Sequence, residues 1–340
     1  QLVLPSPTVI VANAIRAATA AREPVLLTGV IQGGGPCHWA AEDHLRAGLP
    51  VYATPDAART FDDELAKVER LGVRLVSEDE AAGLRGVRRI VLRDLYFDTL
   101  LRTLAAFGAP TALDAVAVAV FDHGNAPPGV SDRAFRFAYL ARTVNAPTGL
   151  AAFAFLRHAI PPELTRMAAV AASLDPSIPL LVMDTGPAAV LGALEDPVVR
   201  ATPSPLVVNV GNFHTLAFHL AAGRVAGLFE HHTGELTRAE LERYLDRLAA
   251  GTLTNDEVFA DMGHGALIAD PAAPPPSRTV AIGPRRALLA GSPLAPYLAV
   301  PHGAMMLAGC YGLLRAFAAH VPEAADAITA SLGPAYQPAA

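Results

Sequence analysis

The stretch Leu206-Val-Val-Asn-Val-Gly-Asn-Phe-His-Thr-Leu-Ala-Phe-His-Leu220, continued through Ala222-Gly223 into Arg224-Val-Ala-Gly-Leu-Phe229, decides how the second half of the chain reads. Three short apolar runs rich in β-favouring residues are separated by Gly-Asn and Ala-Gly, pairs that turn a chain tightly. The spacing predicts strands over 206–210, 214–220 and 224–229, joined as hairpins. Downstream, Thr237 to Ala250 has the apolar stripe of an amphipathic helix, with Thr237 as N-cap and Glu240 at the capping-box position. A fourth strand is expected at Thr279–Ile282, a short helix at Arg285–Leu289, a fifth strand at Tyr297–Val300 and a closing helix at Ala304–Ala319. The Pro-rich stretch 270–277 reads as an exposed loop.

Upstream, the proline pair in Ala201-Thr-Pro-Ser-Pro205 suggests a boundary. The organisation expected is an N-terminal α/β domain over 1–203, a C-terminal α/β domain over 204–333 and a tail over 334–340. In the first part, a helix over 8–21 precedes the strand Val25-Leu-Leu-Thr-Gly29, the loop Gln32-Gly-Gly-Gly-Pro36 and a helix over 37–47. Further strands are expected at 73–76, 89–92, 115–121 and 180–184, the last running into a helix over 188–194. Continuous apolar strands alternating with helices argue for α/β layers.

The composition narrows the classes. The 340 residues are 52% hydrophobic and 17% charged, enough for a buried core, with a formal net charge of −6 and no Lys/Arg-rich block, so nucleic acid is not an expected partner. No uncharged apolar run reaches the roughly 18 residues of a membrane span. Two cysteines, Cys37 and Cys310, make neither a disulfide framework nor a CxxC motif, which fits a reducing, cytoplasmic compartment. They also exclude a radical iron–sulfur activase, which needs three clustered cysteines.

Six of the eleven histidines lie beside glycines or at strand ends, in Phe121-Asp-His-Gly124, Gly211-Asn-Phe-His-Thr215, Glu230-His-His-Thr-Gly234, Gly263-His-Gly265 and Pro301-His-Gly303. Imidazole titrates near neutrality and binds metals, and glycine admits close approach. Candidate catalytic residues are Asp122, His123, Asp184, His232 and His264, with Asp261 and His264 read as an acid/base pair. Candidate metal ligands are Asp122, His231 and Asp261, with only one of the adjacent His231 and His232 able to face a given pocket. Candidate phosphate- or cofactor-binding residues are Gly33, Gly34, Gly35, Asn209, Gly211, Asn212, His214, Thr215, Gly283 and Arg285. Arg133 is a further candidate anion clamp. HExxH spacing, a Walker lysine and a Gly-x-Ser-x-Gly elbow are all missing from the sequence.

The order of elements from 206 to 319 resembles the ribonuclease-H-like half-domain of the actin/Hsp70/sugar-kinase superfamily. Residues 206–215 are similar to its second phosphate loop, Val280-Ala-Ile-Gly-Pro-Arg-Arg-Ala-Leu288 to its adenosine-side turn, and 303–316 to its closing helix. More specifically, Leu4-Pro-Ser-Pro-Thr8, Gly33-Gly-Gly-Pro36, Phe121-Asp-His-Gly124, Ser131-Asp-Arg133, Gly211-Asn-Phe-His-Thr215, Phe229-Glu-His-His-Thr-Gly234, Asp261-Met-Gly-His-Gly265 and Pro301-His-Gly303 resemble the DUF1786 family. The resemblance implies an actin-like ATPase fold, two ribonuclease-H-like halves facing a cleft. Family members resemble one another in an upstream Asp-x-Gly-x-Gly-Thr loop, and the first half is expected to lack those N-terminal strands in this chain. Where the superfamily has an acid at the start of its second phosphate loop, this chain has Asn209. The function expected from the resemblance is an enzyme binding a small phosphorylated ligand, ATP or ADP with Mg²⁺, for phosphoryl transfer or hydrolysis. A metal-dependent hydrolase or lyase using the histidines without nucleotide, with a His-bound transition metal, is the first alternative. A non-catalytic ligand sensor or scaffold is the second, and homo-oligomerisation stays open.

Overall fold

The computed structural model describes residues 2–32 and 34–334. The chain forms two compact units, one built from residues 1–115 and 164–179, the other from 116–163 and 180–340. The boundary expected at 203/204 falls inside the second unit.

The first unit carries four strands, β1 (Val25–Val30), β2 (Val51–Ala53), β3 (Arg74–Leu75) and β4 (Arg88–Arg93), all parallel in the order β3-β2-β1-β4. Its core joins Val25, Leu27, Val51, Ile90 and Leu92 to the helices Pro7–Ala20 and Pro36–Arg46, through Val11, Ile15, Ala40 and Ala41. Apolar residues four apart on the first helix give it the single buried stripe that a sheet-covering helix needs. The three-residue β2 and the helices Phe97–Ala106 and Thr165–Ala172 were not apparent in the sequence.

The second unit holds two sheets. The smaller contains β5 (Val116–Ala119), β6 (Ala154–Leu156) and β7 (Leu180–Met183) in the order β5-β7-β6, with β5 parallel and β6 antiparallel to β7. The larger contains β8 (Pro205–Val210), β9 (His214–Ala221), β10 (Arg224–His232), β11 (Gly265–Ile268), β12 (Arg278–Ile282) and β13 (Tyr297–Leu298). Its order is β11-β10-β9-β8-β12-β13: β8 to β11 run antiparallel as a meander, and β12 and β13 add in parallel. One face is covered by the helix Arg238–Ala249, whose Leu241, Tyr244, Leu245 and Leu248 meet Phe229, Ala217 and Val208. That helix begins in a complete capping box between Thr237 and Glu240, as the sequence predicts.

The helices Thr185–Ala193 and Ala308–His320 touch backbone to backbone. A Cβ on Gly192 would stand 1.7 Å from the Ala308 carbonyl oxygen, and one on Gly312 would stand 1.9 Å from that of Ala188. Only hydrogen at these two positions allows such an approach. This packing ties residues 180–193 to the C-terminal part of the chain, which is the physical reason they do not fall with the sequence before 203. No helix among the described residues is long and apolar enough to cross a membrane.

Candidate histidine metal centre

Three strand ends and one loop of the second unit converge at one edge of the large sheet. His214 opens β9 and His232 closes β10, and the two are direct cross-strand partners. His264 precedes β11, and its amide donates to the Glu230 carbonyl at 2.9 Å. His123 arrives from the loop after β5. There the Asp122 carboxylate accepts from the Gly124 amide at 2.8 Å, and Gly124 has φ +76° with the Phe135 ring pressed against it. One nitrogen from each of His123, His214 and His264 lies within 4.8 Å of the others, and this is the one group of potential metal ligands among the described residues. Nitrogens sharing one tetrahedral ion at about 2.0–2.1 Å stand roughly 3.3 Å apart, closer than the 4.8 Å limit met here.

The cluster is graded from buried to open: His264 is buried, His214 and His232 are half-buried and His123 is exposed. Neither ring nitrogen of His264, nor Nε2 of His214, has a hydrogen-bond partner. Burial first, then the neighbouring imidazoles and Arg136, push His214 down to about 2. Burial first, then His214, His232, His123 and Arg136, lower His264 as well. Both rings are therefore neutral at pH 7, the state in which imidazole lone pairs bind metal. His232 stands beside them, its ring 4.6 Å from that of His264 and 5.1 Å from that of His214. Its Nδ1 donates to the Met262 carbonyl at 2.8 Å, which leaves Nε2 as the lone-pair nitrogen.

The loop that delivers His264 is held tightly. Met262 has φ +64°, a left-handed conformation unusual for a side-chain-bearing residue. A Cβ on Gly263 would stand 2.5 Å from the His231 ring and 2.7 Å from the Val258 carbonyl oxygen. Arg133 donates to the carbonyls of Phe259 at 3.0 Å and Gly263 at 2.6 Å while lying over the Phe259 ring. The residue expected to clamp an anion thus holds a loop instead.

Behind the histidines lies a buried ion group missed in the sequence. Arg136, on the helix Asp132–Thr143, reaches Glu230 with Nε at 3.1 Å and Nη2 at 3.2 Å, pairs with Asp184, and donates to the Asp122 carbonyl at 3.1 Å. Arg136, Asp184 and Glu230 are fully buried. Asp184 also caps the helix Thr185–Ala193 by accepting from the Gly186 amide at 3.1 Å. Burial raises the Glu230 carboxyl, while the guanidinium beside it pulls the other way. Phe121 links the two groups: its ring is 4.4 Å from the Arg136 guanidinium and stacks on His214 at 3.9 Å. One sequence signal pointed here, an arginine set among Phe137, Tyr139 and Leu140 on the buried stripe of its helix.

The structure brings together His123, His214, His232 and His264, with Asp122 and Asp184 close behind. His231 is not among them. Successive strand residues face opposite sides, so His231 packs on Tyr244, and its ring nitrogens meet the carbonyls of His232 at 3.1 Å and Asp261 at 2.7 Å. Asp261 accepts from the Tyr244 hydroxyl. The expected Asp261–His264 acid/base pair does not form, since the His264 ring has no hydrogen-bond partner. Asp122 serves as a turn cap and Asp184 as a helix cap and ion partner, so neither carboxylate belongs to the ligand group. His302 lies elsewhere, 3.4 Å from Glu195.

Of the phosphate-loop candidates, Gly211 bonds back to the His214 carbonyl at 3.0 Å in a tight turn, with Asn212 exposed at its tip. The Thr215 hydroxyl is spent on Thr233 at 3.0 Å. Gly283, at φ +100°, lies against the end of β8, where a Cβ would stand 2.5 Å from the Val210 carbonyl oxygen and 2.6 Å from Asn209 Oδ1. Arg285 is exposed, and its amide bonds to Val210 at 3.0 Å. Gly34 and Gly35 belong to the first unit, at the start of the helix Pro36–Arg46, and Gly33 lies outside the described residues.

Residues 32–288, more than half of the chain, match the family described as "Putative pyruvate format-lyase activating enzyme (DUF1786)". The chain belongs to the DUF1786 family. All four clustered histidines, Arg136, Asp184 and Glu230 lie inside the matched span. The radical chemistry suggested by the description has no thiolate cluster to support it in this DUF1786 chain, which holds a buried Cys37, an exposed Cys310 and no third cysteine. No curated protein and no solved structure matches the chain.

Proposed function

We propose that this DUF1786 protein is a metal-dependent enzyme of the hydrolase or lyase type, with a divalent transition metal held by His123, His214 and His264. The single observation carrying this reading is the convergence of three imidazole nitrogens within 4.8 Å, with the His264 ring buried and without a hydrogen-bond partner. Neutral nitrogen donors without carboxylates suit Zn²⁺, Cu²⁺, Ni²⁺, Co²⁺ or Fe²⁺ rather than Mg²⁺. Three protein ligands leave a position open, and a metal there supplies Lewis-acid chemistry by polarising a carbonyl or phosphoryl oxygen or lowering the pKa of a water. His232, close by and with its Nδ1 proton fixed on Met262, is placed to accept or deliver a proton at Nε2. The test is the metal content of the purified and the metal-reconstituted protein, with His264→Leu and His214→Phe as controls. One equivalent bound by the parent and none by the variants is expected. Less than about a tenth of an equivalent in both parent preparations sinks the reading.

A second reading keeps the phosphorylated ligand, ATP or ADP with Mg²⁺, and the actin-like ancestry. It is supported by three antiparallel strands followed by two parallel ones, β10-β9-β8-β12-β13, and by the close approach of Gly283 to the end of β8 beside the Gly211 turn. Calorimetric titration with ATP and ADP in the presence of Mg²⁺ separates the readings, since nucleotide binding that survives His264→Leu favours the second.

A further inference from the structure

The charges around the histidines constrain what else the centre holds. All three of its protein donors are imidazole nitrogens, a ligand type that brings no negative charge to an ion. The nearby carboxylates are committed elsewhere: Asp184 and Glu230 to Arg136, Asp122 to the Gly124 amide, and Asp261 to the Tyr244 hydroxyl. The buried cation Arg136 lies behind Phe121, which stacks directly on His214. A divalent ion seated there keeps its full charge in a partly buried site with a guanidinium behind it. Leaving such a charge uncompensated away from water is costly, and among the described residues no carboxylate joins the three imidazoles. A metal-bound hydroxide supplies one negative charge, and an anionic ligand that displaces the water supplies it in the same place.

Resting on the metal reading above, we propose that the substrate of this centre is a small oxyanion, bearing a carboxylate or phosphate group that binds the metal ion directly. The side reached by solvent is that of exposed His123 and half-buried His232, while His264 is buried. Anion binding therefore requires the metal, and a neutral isostere binds poorly because it brings the same shape without the charge.

The protein reconstituted with Zn²⁺ is titrated calorimetrically with acetate, inorganic phosphate and, as the neutral control, acetamide, each repeated on metal-free protein. The Co²⁺-substituted protein is followed by visible absorption during the same additions. Expected are one-to-one binding of at least one anion to the metal-loaded protein, acetamide about 100-fold or more weaker, no anion binding without metal, and a change in the Co²⁺ spectrum on anion addition. Preference for acetate over phosphate, or the reverse, assigns the carboxylate or phosphate class. Acetamide binding as tightly as acetate, or anions binding equally well without metal, overturns the inference while leaving the metal reading intact. Failure to take up either metal overturns both. In His264→Leu, the same anion titrations in the presence of Zn²⁺ are expected to be flat.

Discussion

Two polar groups lie side by side in the second unit, and they are built on opposite principles. In the Arg136 group every charge is answered: the guanidinium meets two carboxylates and a carbonyl, and Asp184 also caps a helix. In the histidine group, a few ångströms away across Phe121, three ring nitrogens have no partner. Buried polar atoms are almost always hydrogen-bonded, because leaving one unmet costs about 1–3 kcal/mol. The answered group is therefore architecture, holding β10, the Asp132–Thr143 helix and the Thr185–Ala193 helix in register. The unanswered group keeps polar nitrogens without partners, which is the feature that the proposed metal would answer.

The comparison breaks if the two groups respond alike to mutation. Arg136→Met leaves two carboxylates buried without their cation and is expected to cost about 3–5 kcal/mol in denaturant unfolding; a loss below about 1 kcal/mol removes the architectural role. Acid sharpens the contrast in the metal-free protein. The folded-state pKa of His214 lies far below its ordinary 6.5, and His264 and the buried His44 are lowered too, each chiefly by burial. The unfolded chain thus takes up these protons first. The stability they lend is complete above 6.5 and is lost as pH falls from 6.5 toward about 2, the value to which His214 is pushed. Unfolding curves between pH 7 and pH 4 are expected to show a steep decline, shallower in the His214→Phe, His264→Leu double variant; parallel declines would argue against it. Arg133→Met frees the Phe259 and Gly263 carbonyls and is expected to cost about 1–2 kcal/mol and to weaken metal uptake, with Arg133→Lys recovering part of both. The smallest effect belongs to His264→Leu, which removes unpartnered nitrogens. Its metal-free stability is expected to stay within about 1 kcal/mol of the parent's, in either direction, while metal binding is lost. A loss above about 3 kcal/mol would place His264 with the architecture instead.

How far the sequence carries can be seen at particular residues. Regular periodicity and turn chemistry located β8, β9 and β10, the Thr237 cap and β12 to within a few residues, because hairpins and caps are local. Four of the six patch histidines converge, as glycine-bordered strand ends on one sheet edge allow, and period two separates His232 from His231. The ligand set itself was not legible. Asp122 and Asp261 look like ligands in sequence, but short-range backbone and hydroxyl partners claim them. Arg136 finds its carboxylates at positions 48 and 94 residues away, a pairing that no local pattern encodes. The short β2, β6 and β11 leave no pattern in the sequence because three or four residues are too few to establish a period.

The glycine contact between the helices Thr185–Ala193 and Ala308–His320 has a consequence for the order of assembly. Gly192 and Gly312 are 120 positions apart along the chain (312 − 192), so their meeting closes a long loop and belongs among the slow, high-contact-order events of folding. Asp184 stands at the start of the first of these helices and holds Arg136. During synthesis, the helix bearing Gly312 emerges only after every histidine of the centre has been made. The scaffold behind the histidine cluster is thereby completed only after all four clustered histidines have been made, and a chain cut short before residue 308 would carry those histidines without the clamp that sets their backing.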